Sequence, residues 1–299
     1  MDDRDFLGYF DKLGSPKVDI IKSASGNIVS TLLTLDSKMG RKASMDSAEN
    51  KVKQKVEESL RKKYSQGDLG DKMSTDLNYS LKRLVRGLYS ENHAVKQGFF
   101  LASVMVLNRF GSSIDFEKYM AFVKEETKTN SGMKNPEVHA AMMGRMMCIS
   151  AMIDSQWVSN AKQAVPVIDA LVEIYNTQEF LREGIQLVFV KILKSSFGSV
   201  KLFDHIVSKL GLNETKITIS SSDLSLFFVL REVYISNFKG QSREHDTLMS
   251  FDVVGNKKQL QFVAGLIKQQ TYLFPRLHSS AILLVRELFR GSNGKHFPK

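Results

Sequence analysis

Three cations lie close together in one short segment of the sequence, where they could bind phosphate groups. Lys82, Arg83 and Arg86 fall within residues 77–90, a stretch that contains no Asp or Glu. Lys and Arg neutralise the phosphates of nucleic acids with little regard to base sequence. We therefore expect these cations to contact RNA or DNA. A second cluster in a region of net positive charge is expected to do the same, and it consists of Arg61, Lys62 and Lys63.

The periodicity of residues 77–88 predicts a helix that presents the first cluster to solvent. The apolar residues of this stretch share one side of a helical wheel, and the three cations lie about 100° to 200° around the axis from Leu81. Such cations are either a strip that faces phosphate or the solvated side of an ordinary amphipathic helix. The lack of carboxylates favours the strip. The apolar residues are Leu77, Leu81, Leu84, Val85 and Leu88.

The sequence offers no motif for catalysis, metal binding or cofactor binding. It contains neither G-x-G-x-x-G nor G-x-x-x-x-G-K-[ST], and it lacks H-E-x-x-H and G-x-S-x-G. The six histidines are scattered, and Cys148 is the only cysteine, so no disulfide can form within the chain. We expect a protein that is not an enzyme and that holds no metal, no cofactor and no small-molecule substrate.

The composition is that of a folded basic protein. Hydrophobic residues make up 42% of the chain and charged residues 25%. The net charge of +10 suggests an acidic partner, of which nucleic acid is the commonest, although many basic proteins bind none. The acidic start "MDDRDFLGYF" does not fit a secretory signal or a transit peptide, and no uncharged apolar run reaches the roughly 20 residues that span a bilayer. We expect a cytosolic or nuclear location without membrane contact.

Helical periodicity recurs along the chain and predicts an all-α fold. The more buried helices start near residues 94, 136, 179 and 222, at intervals of about 42 to 43 residues, which is the length of a HEAT or armadillo repeat. An irregular helical domain is the alternative. We place Pro136, Pro166 and Pro275 in first helical turns. Predicted helices cover residues 16–35, 48–64, 77–88, 94–110, 115–128, 136–154, 165–175, 180–193, 199–210, 222–237, 256–270 and 276–290.

The domain prediction is a single helical-repeat domain, residues 1–299, with a short flexible tail at 291–299. Residues 36–76 interrupt the pattern and are predicted to form a basic, exposed insertion. The methionine-rich run at 140–157 could be an adaptable partner-binding surface, since methionine repacks easily. Helical spacing favours ordinary core for its members Met142, Met146, Ile149 and Ile153.

Four stretches, in order along the chain, resemble the DNA polymerase phi family, which includes Myb-binding protein 1a and fungal DNA polymerase five. The first, "RDFLGYFDKLGSPKVDIIKSASGNIVSTL", is similar to the opening of the family. In the second, at 77–107, the matching residues are Tyr79, Leu81, Arg83, Leu84, Gly87, Leu88, Gly98, Phe99 and Leu101. In the third and fourth they are Gly144, Arg145, Ala151, Ile153, Ser155, Pro275, Arg276, Leu277, His278 and Leu284.

The resemblance implies an α-helical scaffold of the nucleus and nucleolus that acts in ribosomal RNA production, ribosome biogenesis and transcription regulation. It implies ribosomal RNA or DNA and pre-ribosomal or transcription proteins as partners. Family members are not generally regarded as working polymerases. They are about three times longer than this chain, which resembles only their N-terminal part. The alternative function is a protein-interaction module that binds acidic segments of nuclear partners without nucleic acid.

Overall fold

The computed structural model describes residues 3–42, 68–70, 73–212, 221–242, 245–246, 249, 261–265 and 267–268. These residues form helices joined by short turns, and none of them lies in a strand, so the all-α prediction is confirmed. No helix within these ranges is long and apolar enough to cross a membrane. The helices are α1 (Asp3–Lys12), α2 (Val18–Lys42), α3 (Thr75–Leu88), α4 (His93–Phe110), α5 (Phe116–Glu126), α6 (Asn135–Asp154), α7 (Ala161–Thr177), α8 (Arg182–Lys194), α9 (Val200–Leu210) and α10 (Ser221–Asn237).

Most observed helix bounds follow the predicted ones because local signals set them, but α1 was not predicted, α2 runs past its predicted end at 35 and α7 begins before its predicted start at 165. Ser74, Asn92, Asp115, Asn160 and Ser199 each accept a backbone N–H from the first turn of the helix that follows, which satisfies a donor that the helix itself cannot pair. Gly211 ends α9 in the left-handed conformation, with φ of 59°. Polar caps and a glycine stop were readable from the sequence, and the helices begin and end at them.

Two of the three prolines predicted to lie in first helical turns are among the described residues, and one of these two predictions is wrong. Pro136 lies in the first turn of α6, as predicted. Pro166 lies inside α7, because Asn160 caps that helix about one turn earlier than the apolar pattern begins. A proline there cannot donate to the carbonyl of Lys162, so α7 lacks one backbone hydrogen bond. Pro275 lies outside the described residues.

The chain divides into two compact units, Met1–Val158 and Ser159–Lys299. In unit 1, α2, α4 and α6 lie side by side, since α4 packs against both of the others. The amphipathic helix α3 packs against all three and also contacts α5. In unit 2, α8 packs against α7 and α10, and α9 packs against α7. This packing is common to helical repeats and irregular helical domains, so the repeat class and the single domain stay predictions.

A buried polar network joins three helices of unit 2. The Tyr175 hydroxyl of α7 lies 3.2 Å from Asp223 Oδ1 of α10 and donates to it, and Gln186 Nε2 of α8 donates to the Ser222 carbonyl at 3.2 Å. Burial raises the pKa of the Tyr175 hydroxyl, which therefore stays protonated and able to donate. Satisfied buried networks of this kind fix one arrangement of the helices around them.

The predicted insertion at 36–76 is not exposed at its far end. Helix α2 continues to Lys42, and residues 43–67, which include the predicted helix at 48–64, lie outside the described residues. Leu69 and Gly70 are buried. The Leu69 carbonyl accepts a hydrogen bond from the Asp115 N–H at 2.8 Å, so this part of the segment is fixed to the chain just before α5.

Candidate nucleic-acid interface

Helix α3 carries the three cations of the first cluster and is held in place by its apolar side. Leu77, Leu81, Leu84, Val85 and Leu88 are all at most 2% exposed, as the leucine stripe predicts. Ser74 Oγ caps the helix by accepting from the Leu77 N–H. Asp76 in the first turn and Arg86 in the last turn have the charges that the helix dipole favours at those ends.

Lys82 is not on the exposed side of α3, contrary to the prediction from the helical wheel. It is only 5% exposed, and its ammonium group lies 5.8 Å from the centre of the Phe122 ring of α5. Burial lowers its pKa, and the nearby Asp68 carboxylate opposes that shift. The wheel placed Lys82 about 100° from Leu81, on the solvent side of the apolar arc, and α5 covers that part of α3 in the folded chain. A buried ammonium is poorly placed to meet a phosphate in solvent.

Arg83 is engaged by three groups from its own unit. Its guanidinium lies 4.7 Å from the centre of the Phe10 ring, donates to Asp11 Oδ1 at 3.0 Å and donates to the Tyr79 hydroxyl at 3.2 Å. The side chain is 30% exposed. Stacking on a ring together with an ion pair fixes the orientation of an arginine better than either contact alone. Arg83 thus joins α3 to α1.

Arg86 forms a two-pronged ion pair with Glu126 at the end of α5. Nε lies 2.8 Å from Oε2 and an Nη lies 2.9 Å from Oε1, and the Tyr89 hydroxyl also donates to Oε2 at 3.4 Å. The hydrogen bonds from Arg86 lower the pKa of the Glu126 carboxyl, so the pair is ionised at neutral pH. Arg86 is 54% exposed in its side chain. It is the cation of this cluster with the most access to solvent.

A phosphate would therefore have to compete with carboxylates at this face. Arg83 and Arg86 can reach an external oxygen only by sharing or leaving Asp11 and Glu126. Positive and negative side chains are also nearly balanced among the described residues, and most of the net positive charge lies in the rest of the chain. Arg61, Lys62 and Lys63 belong to that remainder. The binding of nucleic acid by these six residues stays a prediction.

The sequence analysis did not predict the two carboxylates, Asp11 and Glu126, that pair with the arginines of α3. Asp11 is 72 residues from Arg83, and Glu126 is 40 residues from Arg86. Neither acid carries a local signal that pairs it with α3. Only the packing of α1 and α5 against the rest of unit 1 brings these groups together.

Comparison with known protein families finds one family that the chain resembles over most of its length. A family model described as DNA polymerase phi matches residues 79–292, which is most of the sequence. The chain belongs to the DNA polymerase phi family. The match begins at Tyr79 and so leaves out the first of the four resembling stretches. No curated protein and no solved structure matches the chain.

Several residues that carry the family resemblance are packing residues. A Cβ on Gly87 would run into the Phe99 ring, and a Cβ on Gly98 would run into the Leu13 carbonyl. A Cβ on Gly144 of α6 would lie 2.6 Å from the Cβ of Tyr89. Gly87 lets α3 and α4 approach closely, Gly144 does the same for α6 and the C-terminal end of α3, and Gly98 lets α4 approach Leu13 just after α1. In this member of the DNA polymerase phi family, the second and third resembling stretches therefore fit together as one packed unit.

The described histidines and acids make pairs and not metal sites. His205 Nε2 lies 2.9 Å from Asp169 Oδ1, and the buried His245 lies 3.3 Å from Asp204 Oδ1. Within the described ranges, no three His, Cys, Asp or Glu side chains come together in a way that could hold a metal ion. The absence of an enzymatic role stays a prediction.

Proposed function

We propose that this chain is a non-enzymatic helical-repeat scaffold of the nucleolus, acting in ribosomal RNA production, ribosome biogenesis and transcription regulation. The observation that carries the proposal is the family match over residues 79–292. The matched residues Gly87, Gly98 and Gly144 are used for close helix packing and not for chemistry, which is what a scaffold requires. Stacked helices offer long surfaces on which several partners can bind at once.

The scaffold contacts RNA or DNA through basic residues, chiefly through the cluster at Arg61, Lys62 and Lys63, with Arg86 as a weaker contributor. The net charge of +10 supports this part of the proposal. The ion pairs of Arg83 and Arg86 explain why the first cluster contributes less, because each arginine must exchange a carboxylate for a phosphate. Lys82 contributes little because it is buried.

The test is a salt series of binding measurements with ribosomal RNA and with duplex DNA. Arg61→Glu/Lys62→Glu/Lys63→Glu should weaken binding by about tenfold or more and reduce the dependence of affinity on salt, since fewer counterions are released. The control has the same charge change at exposed lysines of unit 2, Lys162→Glu/Lys194→Glu/Lys201→Glu, and should lose much less. Equal losses in both variants, or millimolar binding by the unaltered chain at physiological salt, would refute the nucleic-acid contact.

A second function is favoured by one observation, namely that Arg83 and Arg86 already bind carboxylates. A protein-interaction module would use the same groups to bind acidic segments of nuclear proteins, by exchanging an internal carboxylate for an external one. An acidic peptide titrated under the same conditions separates the two functions. If Arg83→Gln/Arg86→Gln weakens peptide binding and leaves RNA binding unchanged, the protein-binding function is the correct one.

A further inference from the structure

Three neighbouring helices of unit 1 share a surface whose middle carries no charged group, whereas the exposed Lys22, Arg109 and Asp154 lie just beyond its ends. It consists of the exposed and half-buried side chains of α2 between residues 23 and 34, of α4 between 97 and 108, and of α6 between 143 and 153. The only charged residue in these three ranges is Arg145, which is buried. We call this surface the uncharged face.

The three ranges form one surface because α3 contacts all three helices and α4 lies between the other two. Phe99 of α4 and Gly144 of α6 point toward the α3 side, against Gly87 and Tyr89. Leu101 is two residues after Phe99, and Met146 is two residues after Gly144. At about 100° per residue, each therefore points about 160° away from the α3 side. The uncharged face is thus the opposite surface of the layer from the one that α3 covers.

The middle of this face is apolar and adaptable. Leu101, Val104 and Met105 of α4, and Met143, Met146 and Met147 of α6, are neither fully buried nor fully exposed. The prediction of ordinary core holds for Met142 and Ile149, whereas Met146 and Ile153 are only half-buried. Unbranched methionines can repack around an incoming side chain, which suits them to a binding surface.

The chemistry of the face selects one kind of partner. It has no cation to hold a phosphate and no ion to pair with a charged peptide, so contact with a charged partner surface would leave charges buried and unpaired. An uncharged apolar surface can cover it without that cost. The Asn108 amide donates to the Ser155 carbonyl at 2.8 Å, so the C-terminal ends of α4 and α6 lie together. The rows of side chains on two neighbouring helices can accept the apolar ridge of another helix.

We propose that the uncharged face docks an amphipathic helix of a partner protein, through an apolar stripe that carries no charge. The inference goes beyond the proposed contact with nucleic acid, which uses charged residues elsewhere on the chain. It assigns the scaffold a surface for protein whose lining includes none of the six cations used by the proposed contact with nucleic acid.

The test uses the full chain and two synthetic 18-residue helical peptides. One has leucines at helical spacing on one side and balanced Lys and Glu on the other, and the second has glutamines in place of those leucines. The leucine peptide should bind and the glutamine peptide should not, and raising the salt should change the affinity less than about twofold because no ion pairs form. Failure of the leucine peptide to bind, or steep weakening by salt, would overturn the proposal.

The matched variants are Leu101→Lys on the uncharged face and Leu187→Lys on α8 of unit 2, where Leu187 is 65% exposed. Leu101→Lys should weaken binding of the leucine peptide by about tenfold or more, and Leu187→Lys should leave it unchanged. Equal effects would show that the peptide binds any exposed apolar residue, and would overturn the assignment of the site.

Two further measurements keep the proposal testable if Leu101→Lys fails to fold. Hydrogen exchange on the unaltered chain should show peptide-dependent protection of residues 97–108 and 143–153 and no protection of α9. Protection confined to other helices would overturn the proposal. Sedimentation of the chain alone should show a monomer. A dimer that Val104→Thr dissociates would mean that a second copy of the chain, and not a partner helix, covers the face.

Discussion

The two sides of the helical layer in unit 1 differ in how they use charge. On the α3 side, arginines meet carboxylates from α1 and α5, with Arg86 and Glu126 2.8 Å apart. On the opposite side, the accessible residues of α2, α4 and α6 within 23–34, 97–108 and 143–153 carry no charged group. The number of cations in a segment therefore says little about which side of a domain is available to a polyanion. What matters is whether packing has already supplied each cation with a counter-charge.

The contrast also separates two roles within the family-matched residues. Arg83 and Gly87 fasten α3 to its neighbours by an ion pair, stacking and close approach, and Tyr79 accepts a hydrogen bond from Arg83 within α3. Leu101 and Ile153, which carry the resemblance too, remain partly accessible on the uncharged face. The residues of the first group already make contacts that hold unit 1 together. The second group is still able to contact another molecule.

The largest effect is expected at Gly144, which packs against the α3 side, while its neighbours on α6 lie on the uncharged face. A Cβ there would meet the backbone and Cβ of Tyr89, whose hydroxyl holds Glu126, while Met143 and Met146 flank it on the uncharged face. Gly144→Ala should lower the free energy of unfolding by about 2 kcal/mol, because overpacking forces backbone shifts. Thermal unfolding would measure the loss, and Gly8→Ala in α1, whose Cβ would meet nothing within 4 Å, is the control. An unchanged melting temperature would mean that α6 can move away from α3 without cost.

The sequence predicted the positions of most helices, but it did not predict which side chains contact each other across different helices. The leucine stripe and the capping residue Ser74 are local signals, and they place α3 within two residues of its observed bounds. The burial of Lys82 depends on Phe122, which lies 40 residues further along the chain. The pairing of Arg86 with Glu126 spans the same distance. Contacts of this kind follow from tertiary packing, which a helical wheel for one segment does not contain.

The uncharged face also could not be predicted from the sequence. Segments 94–110 and 140–157 are apolar around most of the helix, so their composition predicts burial on every side. Only the structure shows which side of each helix no described neighbour covers fully, since Phe99 and Cys148 are buried while Leu101 and Met146 are half-exposed. For the methionine-rich run the sequence favoured ordinary core over a binding surface; Met142 is buried and Met146 is half-buried, and binding there stays a proposal.

The next largest effect concerns the ion pair between Arg86 and Glu126. Glu126→Gln should cost about 1 kcal/mol of stability at pH 7, near the upper end for accessible pairs, because solvent around Arg86 screens the interaction. The pKa of Glu126 is lowered in the folded chain, so the stabilisation is present above its unfolded value and is lost as the pH falls through the folded value. The stability difference between wild type and Glu126→Gln should therefore shrink in acid. A constant difference from pH 7 to pH 3 would contradict the ion pair.

The same substitution sharpens the functional comparison, since it frees Arg86 without moving α3. If the first cluster contacts phosphate, Glu126→Gln should raise RNA affinity about threefold and make its salt dependence slightly steeper. The leucine peptide should bind as before, because the uncharged face is untouched. An equal change in the affinities for RNA and for the peptide would show that the two sides are not independent.

A smaller effect is expected at Lys82. Lys82→Met keeps the length of the side chain and removes a buried charge, so RNA affinity should stay within about twofold of wild type, whereas Arg86→Met should weaken it more. Filter binding at one low salt concentration is sufficient for the comparison. A greater loss with Lys82→Met than with Arg86→Met would show that the buried ammonium reaches nucleic acid, and would remove the distinction between available and unavailable cations.

The smallest effect is expected at Asp11, which is 77% exposed in its side chain. Asp11→Asn removes the counter-charge of Arg83 but leaves the stacking on Phe10 and the bond to Tyr79. Stability should fall by only about 0.3 kcal/mol, because exposed ion pairs contribute little. RNA affinity should rise less than with Glu126→Gln, since two remaining contacts still restrain the Arg83 guanidinium. If Asp11→Asn raises RNA affinity more than Glu126→Gln does, then Arg83, and not Arg86, is the cation of α3 that meets phosphate.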